Sequence, residues 1–476
     1  MDFISVTYLL FLLILLLIYY RIPQNRQWIS LLVFSILFYS LFSLKIWFFF
    51  LITAVTTYAF GRWFCKKRAM LFIMIAGNVL ILFALKLFTS GLYIFADERF
   101  ARLSVLVPVG ISFYTLQTIA YMVDVYKGRV LPEKNFFRYL LFMLFFPQIL
   151  QGPIPRYGDL KDELFSGHRF CEETFLSGFY LLLWGYFQKM VIADRCNLVV
   201  NQIFDQYTSY EGFYLILGGV LYSIQLYTDF AGCVNIALGS AGMFGIHLKP
   251  NFDHPYFAVS IRDFWRRWHI SLSSFLRDYI YIPLGGNRKG KLRKYINIMI
   301  TFFVSGIWHG MGLHYIVWGL LHGLYQVAGE LLIPVRQFLM RLFKMEKNSF
   351  SHRLLSRIFT FFLVMIAWVF FRAESVSKAV YIVVHMFTKW NPWIFVSGEL
   401  YTLGLKEEEW LLLVVSFVLM AVVATLHEKS ISITKAFLKQ PLFFRWIVLL
   451  GLIFMILITG IYGPVYDSAQ FIYGGF

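Results

Sequence analysis

The sequence predicts an all-α polytopic membrane protein, from its composition, its long apolar runs and the basic residues set between them. Of 476 residues, 59% are apolar, 20% aromatic and 14% charged, with a mean hydropathy of +0.68. A soluble domain carries roughly 25% charged residues. A chain of this size cannot build a core large enough to hide so much Phe, Leu and Ile from water. Lipid can. Lys and Arg number 43 against 26 Asp and Glu. In a soluble protein that excess would point to nucleic acid. Beside apolar spans it marks cytoplasmic loops, and no nucleic-acid partner is expected.

The spans follow in order. A crossing needs roughly 20 apolar residues. Candidates lie near 5–20, 28–43, 45–62, 70–88, 105–125, 139–150, 174–193, 212–244, 296–326, 353–371, 409–426 and 443–463. The first ends in Arg21 and lacks a basic leader or a small-residue cleavage site, so it reads as a retained helix. Segment 139–150 meets Pro147 and runs into Gln151-Gly152-Pro153-Ile154-Pro155, which predicts a re-entrant element. The long block 212–244 predicts more than one helix, broken at its glycines. About 11 crossings plus partial helices are expected. The whole chain, 1–476, reads as one transmembrane domain, with a basic cytoplasmic region at 245–295. The cysteines Cys65, Cys171, Cys196 and Cys233 have no paired spacing and read as free thiols.

Positive-inside counting sets the orientation. Arg21, Arg26 and Lys66-Lys67-Arg68 fall on the cytoplasmic side, which puts the N-terminus and the loop around Thr89–Arg102 outside. The strongest cluster, Arg262 to Lys294, holds nine Lys or Arg against Asp263 and Asp278. Within it Ile261, Phe264, Trp265, Trp268, Leu272, Phe275, Leu276 and Tyr279 keep helical spacing over five turns. Arg262, Arg266, Arg267, His269 and Arg277 fall off that stripe. The pattern predicts a basic helix on the anionic inner leaflet, whose arginines also help to hold an anionic donor.

Ionisable and amide groups inside apolar spans face a cavity or a partner. Gln225, Asp229 and Asn235 interrupt one block, and His309, His314 and His322 fall within fourteen residues of another. Spaced 5 and 8 apart, these histidines make no i, i+4 metal pair, and no HExxH occurs, so no metal is expected. Neutral imidazole near pH 7 suits general-base work, and a neighbouring glycine permits close backbone approach. His322 lies between Gly319 and Gly323 with Trp318 beside it. No Gly-x-Ser-x-Gly supports a covalent serine.

At these residues the chain resembles a known family. Trp308-His309-Gly310 and Trp318-Gly319-x-x-His322-Gly323 are similar to motifs of the membrane-bound O-acyltransferases. Asp263-Phe264-Trp265-Arg266-Arg267-Trp268-His269 and Leu284-Gly-Gly-Asn-Arg-Lys-Gly290 resemble the bacterial branch that acetylates alginate, peptidoglycan and cellulose. The resemblance runs from Val107-Pro108-Val109-Gly110, through Gln151-Gly152-Pro153-Ile154 and Asp229-Phe230, to Trp368-Val-Phe-Phe-Arg372. It implies a ring of tilted helices around a tunnel, with His322 as the catalytic histidine and His309 at a second polar position. It implies an acyl donor on the cytoplasmic side, acetyl-CoA, as a substrate rather than a bound cofactor. It also implies an extracytoplasmic glycan acceptor, an SGNH-hydrolase-type partner and a bacterial cytoplasmic membrane. Candidate lining residues are Trp308, Trp318, Gln225, Asp229 and Asn235, with Arg266, Arg267 and His269 toward the donor. The D-alanyl-transferring relatives share the histidine motifs, so D-alanyl transfer from a carrier thioester stays open. A transporter of a lipid-linked glycan or acyl carrier is a third reading, against which no internal repeat is seen.

Overall fold

The computed structural model describes residues 3–42, 46–89, 110–346 and 349–462. In chain order the helices are α1 Val6–Tyr19, α2 Gln27–Ser40, α3 Trp47–Ala59, α4 Arg68–Thr89, α5 Ile111–Tyr126, α6 Phe136–Leu144 and α7 Phe146–Ile149. There follow α8 Tyr157–Phe165, α9 Glu172–Tyr186, α10 Asp194–Asp205, α11 Phe213–Met243, α12 Ile261–Arg267, α13 Ile270–Leu276 and α14 Gly290–His309. The last are α15 Leu313–Leu331, α16 Ile333–Leu342, α17 Phe350–Arg372, α18 Val376–His385, α19 Glu407–Glu428, α20 Ile433–Leu438 and α21 Leu442–Thr459. The expected motif at Val107–Val109 and the loop beyond Thr89 lie outside the described residues.

Five described helices are long and apolar enough to cross a membrane alone. They become six if α15 and α16, bent by 56° at Leu332, count as one. That count, by length and composition among the described residues alone, leaves out predicted spans that are short or interrupted. At about 1.5 Å per residue, the 14 residues of α1 reach only about 21 Å. That is short of a hydrocarbon core about 30 Å thick.

Segment 139–150 is broken as expected. The helix stops at Phe145, restarts for one turn, and passes into irregular backbone whose residues are buried from Phe142 to Gly152, save half-buried Leu150. Irregular backbone at membrane depth needs that enclosure. Gly110 opens α5 at φ +75, and a Cβ there would strike the carbonyl of Ile149 in this broken segment.

Block 212–244 departs from expectation. It is one unbroken helix of 31 residues. Its glycines set a close helix contact instead of a break. A Cβ on Gly232 would lie 2.9 Å from the carbonyl of Gly185, and one on Gly239 would lie 2.6 Å from that of Gly178. Small residues that let backbones meet are the usual device where lipid removes the hydrophobic drive for helix pairing.

The amphipathic stretch 261–279 departs in the opposite sense. The predicted single helix is cut at Trp268 and His269, where the backbone turns extended and then left-handed (His269, φ +44). Its stripe does not lie on lipid headgroups. Ile261, Phe264, Trp265, Trp268, Leu272, Phe275 and Leu276 are all buried in the protein core. Block 296–326 likewise divides, at Gly310-Met311-Gly312, into the hairpin α14–α15.

Candidate active site

The hairpin builds the site. Helix α14 ends at His309, where Gly310 turns extended, and α15 returns against it. Gly306 and Gly319 let the two backbones touch, since a Cβ on Gly306 would lie 2.5 Å from the carbonyl of Tyr315. This closeness places the Trp318 indole between two imidazoles, with ring centroids 4.9 Å from His309 and 5.2 Å from His322. Trp318 and His322, four apart, share one face of α15.

Helix α12 closes the other side. Its Ser260 cap accepts the N–H of Asp263, which fixes the first turn. Phe264 then lies parallel to His322 at 6.2 Å, and Trp265 stands edge-on at 5.0 Å. The indole N–H of Trp265 donates to Nδ1 of His322 at 3.2 Å. From α17, Trp368 stacks on Trp318 at 5.6 Å and reaches His322 at 5.9 Å. His322 is wholly buried and His309 nearly so.

The break at His269 adds a third histidine. His269 packs against Phe230 at 4.9 Å and Trp308 at 6.2 Å, and its Nδ1 meets Oδ1 of Asn251 at 3.3 Å. Trp308 in turn lies 4.8 Å from His309. The enclosed rings therefore run His269, Trp308, His309, Trp318, His322 in unbroken contact. His314, grouped with the others in the sequence, stands apart at the start of α15, half-buried against Tyr315.

Within this cage Nε2 of His322, Nε2 of His269, Nε1 of Trp318 and Oγ of Ser305 are buried with no hydrogen-bond partner among the described residues. Each such group costs roughly 1–3 kcal/mol unless something meets it. A concentration of them marks a place where a polar substrate or water belongs.

Lys86 was not among the residues expected. Its ammonium donates to the backbone carbonyl of Trp308 and sits 5.5 Å over that indole, nearly buried. A lone lysine in the apolar run 70–88 was the available signal. An apolar cavity of about 400 Å³ ends at Lys86 and Trp308, and extends past Leu272 and Phe275 to Tyr279. Arg156 stacks on that tyrosine at 4.3 Å, and Asp124 accepts its hydroxyl at 2.6 Å.

The polar residues of α11 are engaged with neighbouring helices. Asp229 pairs with Lys189 at 2.7 Å, which also pairs with Asp194 at 2.8 Å, all three buried. Asn235 donates to Gln188 at 2.7 Å, and Gln225 to Asn197 at 2.9 Å. Lys189 and Gln188 belong to a π-helical turn, Phe187–Ala193, that points them at α11. Arg267 pairs with Asp263 at 3.2 Å and with Glu428 on α19. Arg266 is exposed, with no such partner among the described residues.

A polytopic membrane protein that encloses histidines and tryptophans between short, broken helices is the class these features define. The chain belongs to the MBOAT, or membrane-bound O-acyltransferase, family, whose model matches residues 6–376. It is 38% identical over 296 residues to a probable alginate O-acetylase AlgI of Pseudomonas fluorescens, covering 62% of this chain and 57% of that one. It is 35% identical over 347 residues to a peptidoglycan O-acetyltransferase of Helicobacter pylori, covering 66% and 63%. A teichoic acid D-alanyltransferase of Bacillus subtilis is 31% identical over 228 residues, covering 45% and 56%. The matches thus span somewhat over half the length of each relative.

Proposed function

We propose that this protein transfers an acetyl group from a thioester donor on its basic face to a hydroxyl of an extracytoplasmic glycan, or of a partner protein that serves one. The observation that carries this is the aromatic cage around His322 and His309, in which Nε2 of His322 and of His269 and Nε1 of Trp318 are buried with no hydrogen-bond partner among the described residues. The names of the alginate and peptidoglycan relatives support the acyl group and the acceptor class. Acetyl-CoA is the donor proposed, an SGNH-hydrolase-type protein the partner, and a bacterial cytoplasmic membrane the location.

In this reading His322 is the general base. Trp265 can only donate, so Nδ1 of the neutral ring is the acceptor and its proton rests on Nε2. Taking a proton from a hydroxyl at Nε2 therefore needs the other tautomer and the loss of Trp265's hydrogen bond. Losing it leaves a buried indole N–H unmet, at a cost of roughly 1–3 kcal/mol. General-base help is worth about 10²–10⁴ in rate, or roughly 3–5 kcal/mol. The base role outweighs the bond. Before the tautomer changes, the Nε2 proton can hold the hydroxyl oxygen in place. In the Nδ1–H tautomer Nε2 takes the hydroxyl proton as its oxygen attacks the thioester carbon; the ester C–O bond forms, the C–S bond breaks, and the proton passes from Nε2 to the leaving thiolate. His309 and Trp308 orient the donor, and Lys86 holds the carbonyl at the end of α14.

The B. subtilis relative favours a second reading, D-alanyl transfer from a carrier-bound thioester. Deletion of the gene and analysis of the released envelope esters separates the two. Loss of acetate supports the first, and loss of D-alanine replaces it with the second.

A further inference from the structure

The basic face of the molecule carries a cluster that acyl transfer does not use. Asp253 and His254 lie on the loop between α11 and α12, and His427 lies at the end of α19. One ligand atom from each falls within 4.8 Å of the other two. The two imidazoles meet at a centroid distance of 4.7 Å, tilted by 54°. Nδ1 of His427 stands 3.6 Å from Oδ1 of Asp253, too far for a hydrogen bond. His254 takes φ +44, which side chains rarely adopt.

We propose that Asp253, His254 and His427 bind a divalent transition metal of the Zn²⁺ class and so pin α19 to the loop before α12. Two imidazole nitrogens and one carboxylate oxygen, with a fourth position left to water, are a Zn²⁺ donor set. The set has too few oxygens for Ca²⁺ or Mg²⁺ and no thiolate for Cu(I).

The loop is already rigid. The N–H of Asp253 donates to the carbonyl of Arg267 at 2.9 Å, and Oδ1 of Asn251 accepts the N–H of Ser271 at 2.9 Å. Preset ligands lose little freedom on binding. The nearby cations are balanced, since Asp263 and Glu428 pair with Arg267, and Glu428 also lies 3.7 Å from Arg357. A cavity of about 630 Å³, bordered by both histidines, gives an ion a way in.

Such a pin would act on helix α19. It lies beyond the family match, which ends at 376, and only 17% of its apolar window is buried. Its partner loop holds Asn251, which braces His269. A bound metal would therefore join the C-terminal helices to the wall of the site.

The test uses the full chain purified in detergent with a tag free of histidine. After equilibration with Zn²⁺ and dialysis, wild type should retain about one Zn²⁺ per chain, and Zn²⁺ but not Mg²⁺ should raise its melting temperature. His427→Ala, at an exposed position, and the near-isosteric Asp253→Asn should each weaken Zn²⁺ binding more than ~10-fold and remove the thermal shift. Equal Zn²⁺ retention by wild type and both variants overturns the site. So does an equal thermal response to Mg²⁺, or the absence of saturable Zn²⁺ binding by wild type.

Discussion

His322 differs from the other buried histidines in what surrounds it. Phe264, Trp265, Trp318 and Trp368 leave its ring one open nitrogen. Replacing it with alanine should cut acyl transfer by about 10²–10⁴ while expression and detergent behaviour persist. Near-normal polymer acylation in a well-expressed strain would remove its catalytic assignment. His309→Ala should be damaging but less complete, and the reverse order would exchange the two roles. Trp265→Phe tests the tautomer. It keeps the ring beside His322 and deletes the N–H donor, so base catalysis should hold or rise, by up to about 5- to 150-fold if the whole 1–3 kcal/mol cost of the unmet N–H is removed. A tenfold fall would instead make His322 a hydrogen-bond donor through Nε2. The tryptophans and histidines of the hairpin were legible in the sequence because polar rings beside glycines stand out in an apolar run. Lys86 and Lys189 carry a comparable signal, as lone cations in the runs 70–88 and 174–193. The place of His269 was not legible. An unbroken helix would have turned it away from the stripe, and only the left-handed backbone at that residue brings it inward.

At the scale of elements, periodicity located the apolar faces better than it located the breaks. The period of the stripe from Ile261 to Tyr279 marks an apolar face, yet it runs straight through the break at His269. In α11 the glycines suggested breaks where they serve contact, because a glycine in an apolar helix has the same spelling in both roles. Gly185→Ala should therefore destabilise the detergent-solubilised protein by about 1–3 kcal/mol, since its Cβ would meet the Gly232 carbonyl at 2.6 Å. Gly77→Ala on α4, which meets nothing within 4 Å, is the control and should be neutral or slightly stabilising in a thermal melt. Equal effects would mean that α9 and α11 are not held by backbone proximity. The two arginines of α12 separate in the same way. Arg267→Glu faces Asp263 and Glu428 and should lower the melting temperature, whereas exposed Arg266→Glu should leave it unchanged. If Arg266→Glu also leaves donor kinetics unchanged, donor binding belongs elsewhere, with Arg156 above Tyr279 the next candidate.

The whole molecule has two chemically different ends. At one, Lys294 and Arg262 meet Glu330, while Arg267 and Arg357 meet Glu428. At the other, Arg372 meets Asp205 and Lys378 meets Glu374. Helices α14, α15 and α17 run between these ends, so the hairpin cage lies inside the span. The first end is much the more basic in sequence, because it carries the run Arg288 to Lys294. Positive-inside bias would place that end in the cytoplasm, the orientation proposed for this chain. A thioester donor from the cytoplasm would approach from that end, and a glycan hydroxyl from the other. Neither charged partner would need to cross lipid. Cysteine substitution tests this directly, after the four native cysteines are replaced, since Cys65 is partly exposed near a basic loop. Lys289 and Glu374 are both exposed, so each introduced thiol should be reachable from its own side. An impermeant thiol reagent should label the Glu374→Cys variant in intact cells, once any outer membrane is made permeable. It should label Lys289→Cys only after the cells are opened. Labelling of Lys289→Cys in intact cells would invert the molecule, and the basic face could then not be where a cytoplasmic thioester arrives.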